Sequence, residues 1–116
     1  MKHREKKLAL MAVDHVSRST GVTADDILGT SKLQRIARVR HMAVILLRDH
    51  FEFSWGDIAI LLATGRPTTP DRSSVRERYE RGHALYDHDG AFRELYDVIL
   101  TTMPSELNQW SLKSSN

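Results

Sequence analysis

Ala43-Val44-Ile45-Leu46-Leu47 places five apolar residues in succession inside a longer segment, from about Lys32 to His50, whose spacing predicts one helix. A helix that is apolar on every side has no face to turn to water, so the rest of the chain must wrap around it. No other segment competes for that place. Sustained period-two alternation is absent, there is no Asn-Gly hairpin, and Gly and Pro stand between helical patterns rather than inside alternating ones. The expectation is an all-α chain: a single compact helical domain with this segment as its central strut.

The flanking patterns agree. A first helix is predicted from about Glu5 to Ser17 or Arg18, with Leu8, Ala12, Val13 and Val16 facing inward and Thr20-Gly21 closing it. Thr23 with Asp26 forms a capping box for a short helix through Ile27 and Leu28 that Gly29 ends. Phe51 and Phe53 bracket a turn and read as core, because aromatics at helix junctions pack. After a turn at 87–90, Phe92, Leu95, Tyr96, Ile99 and Leu100 define a last amphipathic helix, stopped by Pro104. The domain is expected to span 1–103. Residues 104–116 are polar apart from Leu107, Trp110 and Leu112, and read as a flexible tail that either folds back or docks a partner.

With 116 residues, 41% of them apolar, the chain can fill one modest core and not two. It has no cysteine, which excludes disulfides and thiolate metal sites and fits a reducing compartment. Asp14 and His15 interrupt the first apolar stretch before it reaches the form of a signal segment, and no run approaches membrane-spanning length. A cytoplasmic protein without membrane contact is expected.

The net charge of +2 hides an asymmetry. Residues 1–82 hold 15 Lys and Arg against 10 Asp and Glu, whereas residues 83–116 hold 2 against 5. From Ile27 to Arg48 there is no acidic residue, but Lys32, Arg35, Arg38, Arg40 and Arg48 all fall there. A block of this kind either forms a solvated face or neutralises phosphates, and in the second case binding weakens steeply with salt.

Residues 54–82 favour the phosphate reading. Ser54 and Asp57 have capping-box spacing, and Ile58, Leu61 and Leu62 share one helix face that ends at Gly65. A second helix starts either with Thr69 as cap and Pro70 at its first position, or with Asp71 as cap one turn later. Within it Val75, Tyr79 and Gly82 lie on one side, and Ser73, Ser74, Glu77 and Arg81 on the other. Two helices joined by a turn, the second opening with Arg72, Ser73, Ser74 and Arg76, have the layout of a helix-turn-helix DNA reader. Arg76, Arg78 and Arg81 have a second use, as helix partners of Glu77 and Glu80.

Nothing in the chain supports catalysis, a cofactor or a metal site. His83 and His88 fall on different helix sides, Asp87 and Asp89 sit in a turn, and neither a His-x-x-x-His pair nor a calcium loop is present. No G-x-S-x-G nucleophile elbow occurs.

Two motifs in order resemble the C-terminal DNA-binding domain of the bacterial replication initiator DnaA. That domain has a basic loop entering a long helix through Ala-Arg-Pro-Arg; here the corresponding stretch is Ala37-Arg38-Val39-Arg40. It has a Ser-x-x-Glu-Ile-Gly helix and a recognition helix opening Asp-His-Thr-Thr-Val; here these look like Ser54-Trp55-Gly56-Asp57-Ile58-Ala59 and Asp71-Arg72-Ser73-Ser74-Val75. The resemblance covers roughly Val13 to Leu100 and implies a Trp-repressor-like helix-turn-helix. It implies Asp71, Arg72 and Ser73 at base edges in the major groove, with Ser74 nearby and Arg38 and Arg40 near the backbone. The family's minor-groove arginine falls by spacing on Gln34, flanked by Lys32 and Arg35. Val39 replaces the motif proline, Arg72 replaces histidine, and GRPTTP stands where the family has a tight glycine turn, so base preference should differ. No G-x-x-x-x-G-K-[ST] string exists, so this stretch carries no phosphate loop of the initiator's motor.

Two functions follow as expectations. One is a small non-enzymatic regulator of replication initiation or transcription that binds double-stranded DNA, with Lys32, Gln34, Arg35, Arg38, Arg40, Asp71, Arg72, Ser73, Ser74 and Arg76 as contacts. The other is an adaptor that binds DnaA or another replication-regulatory protein without reading DNA.

Overall fold

The central segment does form the strut that the others surround. The computed structural model describes residues 2–63 and 69–108, and no strand occurs among them. In chain order, α1 is His3–Thr20, α2 Ala24–Leu28, α3 Gln34–Ile45, α4 Trp55–Leu62, α5 Arg72–His88 and α6 Gly90–Thr101. Met42 to Leu47 are all buried, and α3 packs against α1, α2 and α5. Leu8, Ala12, Val13 and Val16 of α1 face the core as their spacing requires. Leu8, Val13 and Val16 each contribute about 1.5–3 kcal/mol in removal from water.

Local chemistry sets the ends. α1 runs longer than its apolar pattern, stopping where Gly21 adopts φ 79 and its N–H reaches Ser17 O at 2.8 Å. Thr23 Oγ1 accepts the Asp26 N–H at 3.2 Å and starts α2. Asp89 accepts the Phe92 N–H at 3.1 Å and starts α6.

Two features depart from the sequence-based expectation. The third helix does not run uniformly to His50: Leu46–His50 forms a π-helical turn. The wider turn carries Asp49 to α5, where its carboxylate accepts Tyr79 OH at 2.7 Å and lies 2.6 Å from His83 Nε2. These pairings cross 30 and 34 residues, so no local period announces them. Glu52 then takes φ 59, a left-handed conformation that lets Phe51 and Phe53 on either side both turn inward.

The second departure is at the other end. Residues 105–108 are helical and Leu107 is 1% exposed, so the domain extends past 103 and its last stretch is not a free tail up to 108. Leu107 and Met103 close the core beside α1, an apolar gain that outweighs the polar residues around them. Trp110 and Leu112 lie outside the described residues. No described helix is long and apolar enough to cross a membrane.

Candidate nucleic-acid interface

α4 and α5 pack against each other, and each begins with a side-chain cap. Ser54 Oγ accepts the Asp57 N–H at 3.1 Å, and Asp71 Oδ1 accepts the Ser74 N–H at 2.7 Å. Asp71 rather than Thr69 is therefore the cap of α5, and one of its carboxylate oxygens is committed to the helix start. The expected stop at Gly65 lies outside the described residues, as does most of the GRPTTP connection.

At 100° per residue α5 has three distinct sides. Val75 and Gly82 are buried, and at Gly82 the backbone of α5 comes so near α3 that a Cβ would fall 2.7 Å from Ile45 Cγ2 and 3.1 Å from His41 O. Ser73, Glu77 and Glu80 form the exposed stripe opposite. The flanks between them diverge. Arg72 and Arg76 look toward α4, where a Cβ on Gly56 would sit 3.2 Å from Arg72 Nη2. Ser74, Arg78 and Arg81 look toward the α2–α3 connection. Two exposed ion pairs lie along the helix, Arg76–Glu80 at 3.5 Å and Arg81–Glu77 at 3.6 Å. Pairs this loose contribute about 0.3–0.5 kcal/mol and release their arginines easily to a stronger anion.

The basic block divides. Lys32, Gln34 and Arg35 are exposed at the start of α3 and face solvent as expected. Arg40 does not. It is 5% exposed, donating from Nε to Ile27 O at 2.9 Å, from Nη1 to Ser31 O at 2.9 Å and from Nη2 to Asp26 O at 3.0 Å. Its expected place near a DNA backbone is corrected: it holds the last carbonyls of α2 and the following turn, satisfying acceptors that would otherwise be buried unpaired. Arg38 is half-buried, with Nη1 2.8 Å from Asp89 Oδ2 and its guanidinium over the Phe92 ring. That pair holds the Asp89 carboxyl below its ordinary range, helped by the Phe92 N–H. Arg38 thus ties α3 to the cap of α6, which leaves it little reach for phosphate.

Between the 30–32 connection and α5 lies a groove of about 450 Å³, bordered by Ser31, Lys32, Arg40, His41, Arg78 and Arg81. His41 is pushed down from 6.5 to about 4, first by burial and then by Arg78, Arg81 and Arg40. The sequence pattern assigns His41 no role and offers Arg78 and Arg81 helix pairing with Glu77 and Glu80. The signal that could have found them is the acid-free run 27–48, which includes His41, but its pairing with α5 is a tertiary fact.

A second cluster was not foreseen: Asp49 with Tyr79 and His83, the rings of the last two 4.6 Å apart edge to face, and Trp55 against Tyr79 at 5.1 Å. The Asp49 hydrogen bond, followed by burial, pushes the Tyr79 phenol up. Arg48 lies over Trp55 at 4.1 Å and donates to Phe53 O, so it too is structural. Among the described residues no group of three or more His, Asp or Glu could hold a metal ion.

No family model matches this chain, and no curated protein or solved structure matches it either.

Proposed function

We propose that the chain is a small non-enzymatic DNA-binding regulator, of replication initiation or of transcription, that lays the start of α5 against a duplex and grips the backbone with the α2–α3 connection. One observation carries this reading: Lys32 borders the same groove as Arg78 and Arg81, so cations separated by more than 40 residues form one basic surface beside the exposed start of α5. Arg72 and Ser73 are exposed there, able to meet base edges, with Asp71 and Ser74 fixing the helix start beneath them. The resemblance to the DnaA domain supports the same arrangement as a helix-turn-helix.

Selection of bound duplexes from a random library, followed by titration of the winner and of unrelated duplex at two salt concentrations, tests the proposal. A preferred site and a steep loss of affinity with salt are expected. Equal, salt-insensitive retention of every sequence would overturn it. Within a selected site, Arg72→Ala should weaken binding by about 1–3 kcal/mol and relax one base position.

The adaptor reading keeps one specific support: Glu77 and Glu80 share the exposed stripe of α5 with Ser73, and would face phosphates if the whole helix lay in a groove. Capture of partners from bacterial lysate with and without nuclease separates the two. An adaptor for DnaA or a related regulator retains its partner after nuclease; a DNA reader does not.

A further inference from the structure

The groove bordered by α5 has a property that a solvated basic face lacks. Arg78 Nη1 and His41 Nδ1 are both buried, and neither meets a hydrogen-bond partner among the described residues. Buried polar nitrogens without hydrogen-bond partners are costly, and proteins seldom keep them. The two residues border the same cleft, together with Lys32 and Arg81, and Glu77 stands at its edge beside Arg78 and Arg81. Glu77 reaches Arg81 only at 3.6 Å. Arg40, which donates to three backbone carbonyls, adds its charge from beneath.

We propose that this groove is a seat for one phosphate group, with the Arg78 and Arg81 guanidinium groups and the Lys32 ammonium as cations and the His41 imidazole as a further donor. A phosphate offers several strong acceptor oxygens and a negative charge, which matches the unpaired nitrogens and a cluster in which three cations meet one carboxylate, Glu77. The seat rests on the duplex reading only for the source of its ligand: a phosphodiester of a DNA backbone in that case, free phosphate otherwise.

The seat is linked to protons. The groups that face His41 are Arg78 and Arg81 from α5, Arg40 from its own helix and Lys32 across the groove, with the Glu77 carboxylate beside Arg78 and Arg81. In the free protein these cations, with burial, keep the ring neutral. A bound phosphate offsets them and raises the affinity of the ring for a proton, so the complex binds more protons than the free protein. Affinity therefore rises as pH falls from neutrality toward the free value of about 4. Phosphodiesters do not titrate in that range, so the trend belongs to the protein.

The test is nuclear magnetic resonance on the full chain, following the His41 ring and the Arg78 side chain during titration with a short duplex and, separately, with inorganic phosphate. The expected result is an upward shift of the His41 titration by about one pH unit or more with duplex, and movement of the Arg78 signals. Arg78→Ala should weaken duplex binding about tenfold and reduce the salt slope by about one. Arg81→Ala, on an exposed side chain, should give a smaller loss in the same direction and covers the case in which the Arg78 variant folds poorly. His41→Gln should flatten the pH dependence. If duplex binds while His41 and Arg78 stay unmoved and the variants bind normally, the seat is wrong and the duplex reading stands. If duplex fails to bind but inorganic phosphate saturably shifts the same signals, the seat stands and the duplex reading falls. If neither probe shifts them, the seat is overturned.

Discussion

Two halves of one basic block behave in opposite ways. Lys32 and Arg35 stand exposed before and in the first turn of α3, whereas Arg38 and Arg40, a turn further along, are drawn inward by Asp89 and by the carbonyls of α2. All four sit in the same acid-free run. The difference teaches that charge density in a sequence measures what a surface could do, while the neighbouring elements decide which charges remain available. A buried guanidinium whose donors are taken up by backbone carbonyls is a structural strut, and its charge reaches the surface only as a background field.

The comparison is most sharply broken at Arg40. Arg40→Ala should destabilise the fold by on the order of 3 kcal/mol, because three carbonyls lose their donor. Arg40→Lys should recover little, since an ammonium cannot reproduce the planar fork. Chemical denaturation measures both, and a near-native midpoint for either would place Arg40 back among the surface charges.

Next in size is the crossing that fixes α5 beside α3. Gly82→Ala should destabilise by about 1–3 kcal/mol, overpacking against Ile45 and the His41 carbonyl, although alanine is the better helix former by about 0.5–1 kcal/mol. A stabilised variant in thermal melts would show that the two helices can separate, and with them the groove.

Arg38→Ala should lower the denaturation midpoint by less than Gly82→Ala, through the loss of the pair with Asp89, and should leave the salt slope of duplex binding unchanged. A reduced slope would return Arg38 to the binding surface. The smallest effect on stability belongs to Lys32→Ala and Arg35→Ala, within about 0.5 kcal/mol, yet each should lower the salt slope by about one. Unchanged slopes in both would erase the functional half of the comparison.

Most of the helices were legible because their evidence is local. Leu8, Ala12, Val13 and Val16 repeat at helical spacing, and Ser54, Thr23 and Asp71 announce their helices by reaching an N–H three residues on. The π-helical turn at Leu46–His50 was illegible, since Asp49 turns toward Tyr79 and His83 far along the chain. Leu107 was misread as part of a tail because one apolar residue among polar ones has no period, and only the surface of α1 gives it a place to go. Of the candidate site, the exposed residues Lys32, Gln34, Arg35, Arg72, Ser73 and Arg76 stand at the surface as their pattern suggested. Arg38 and Arg40 were misplaced for the reason already given, and Arg78 with His41 were undervalued.

The sequence alone determined an all-α chain built round residues 42–47, because a helix apolar on all sides has one place to be, and it determined the caps at Thr23 and Ser54, because a cap spans three residues; that of α5 it left between Thr69 and Asp71. It also determined that positive charge gathers before residue 82. Only the tertiary structure decided which of those charges face water. Hydrogen-bond acceptors on α2, the cap of α6 and the close approach at Gly82 come from segments distant in the chain, and they turned two arginines into struts while leaving Arg78 and His41 unpaired beside Lys32.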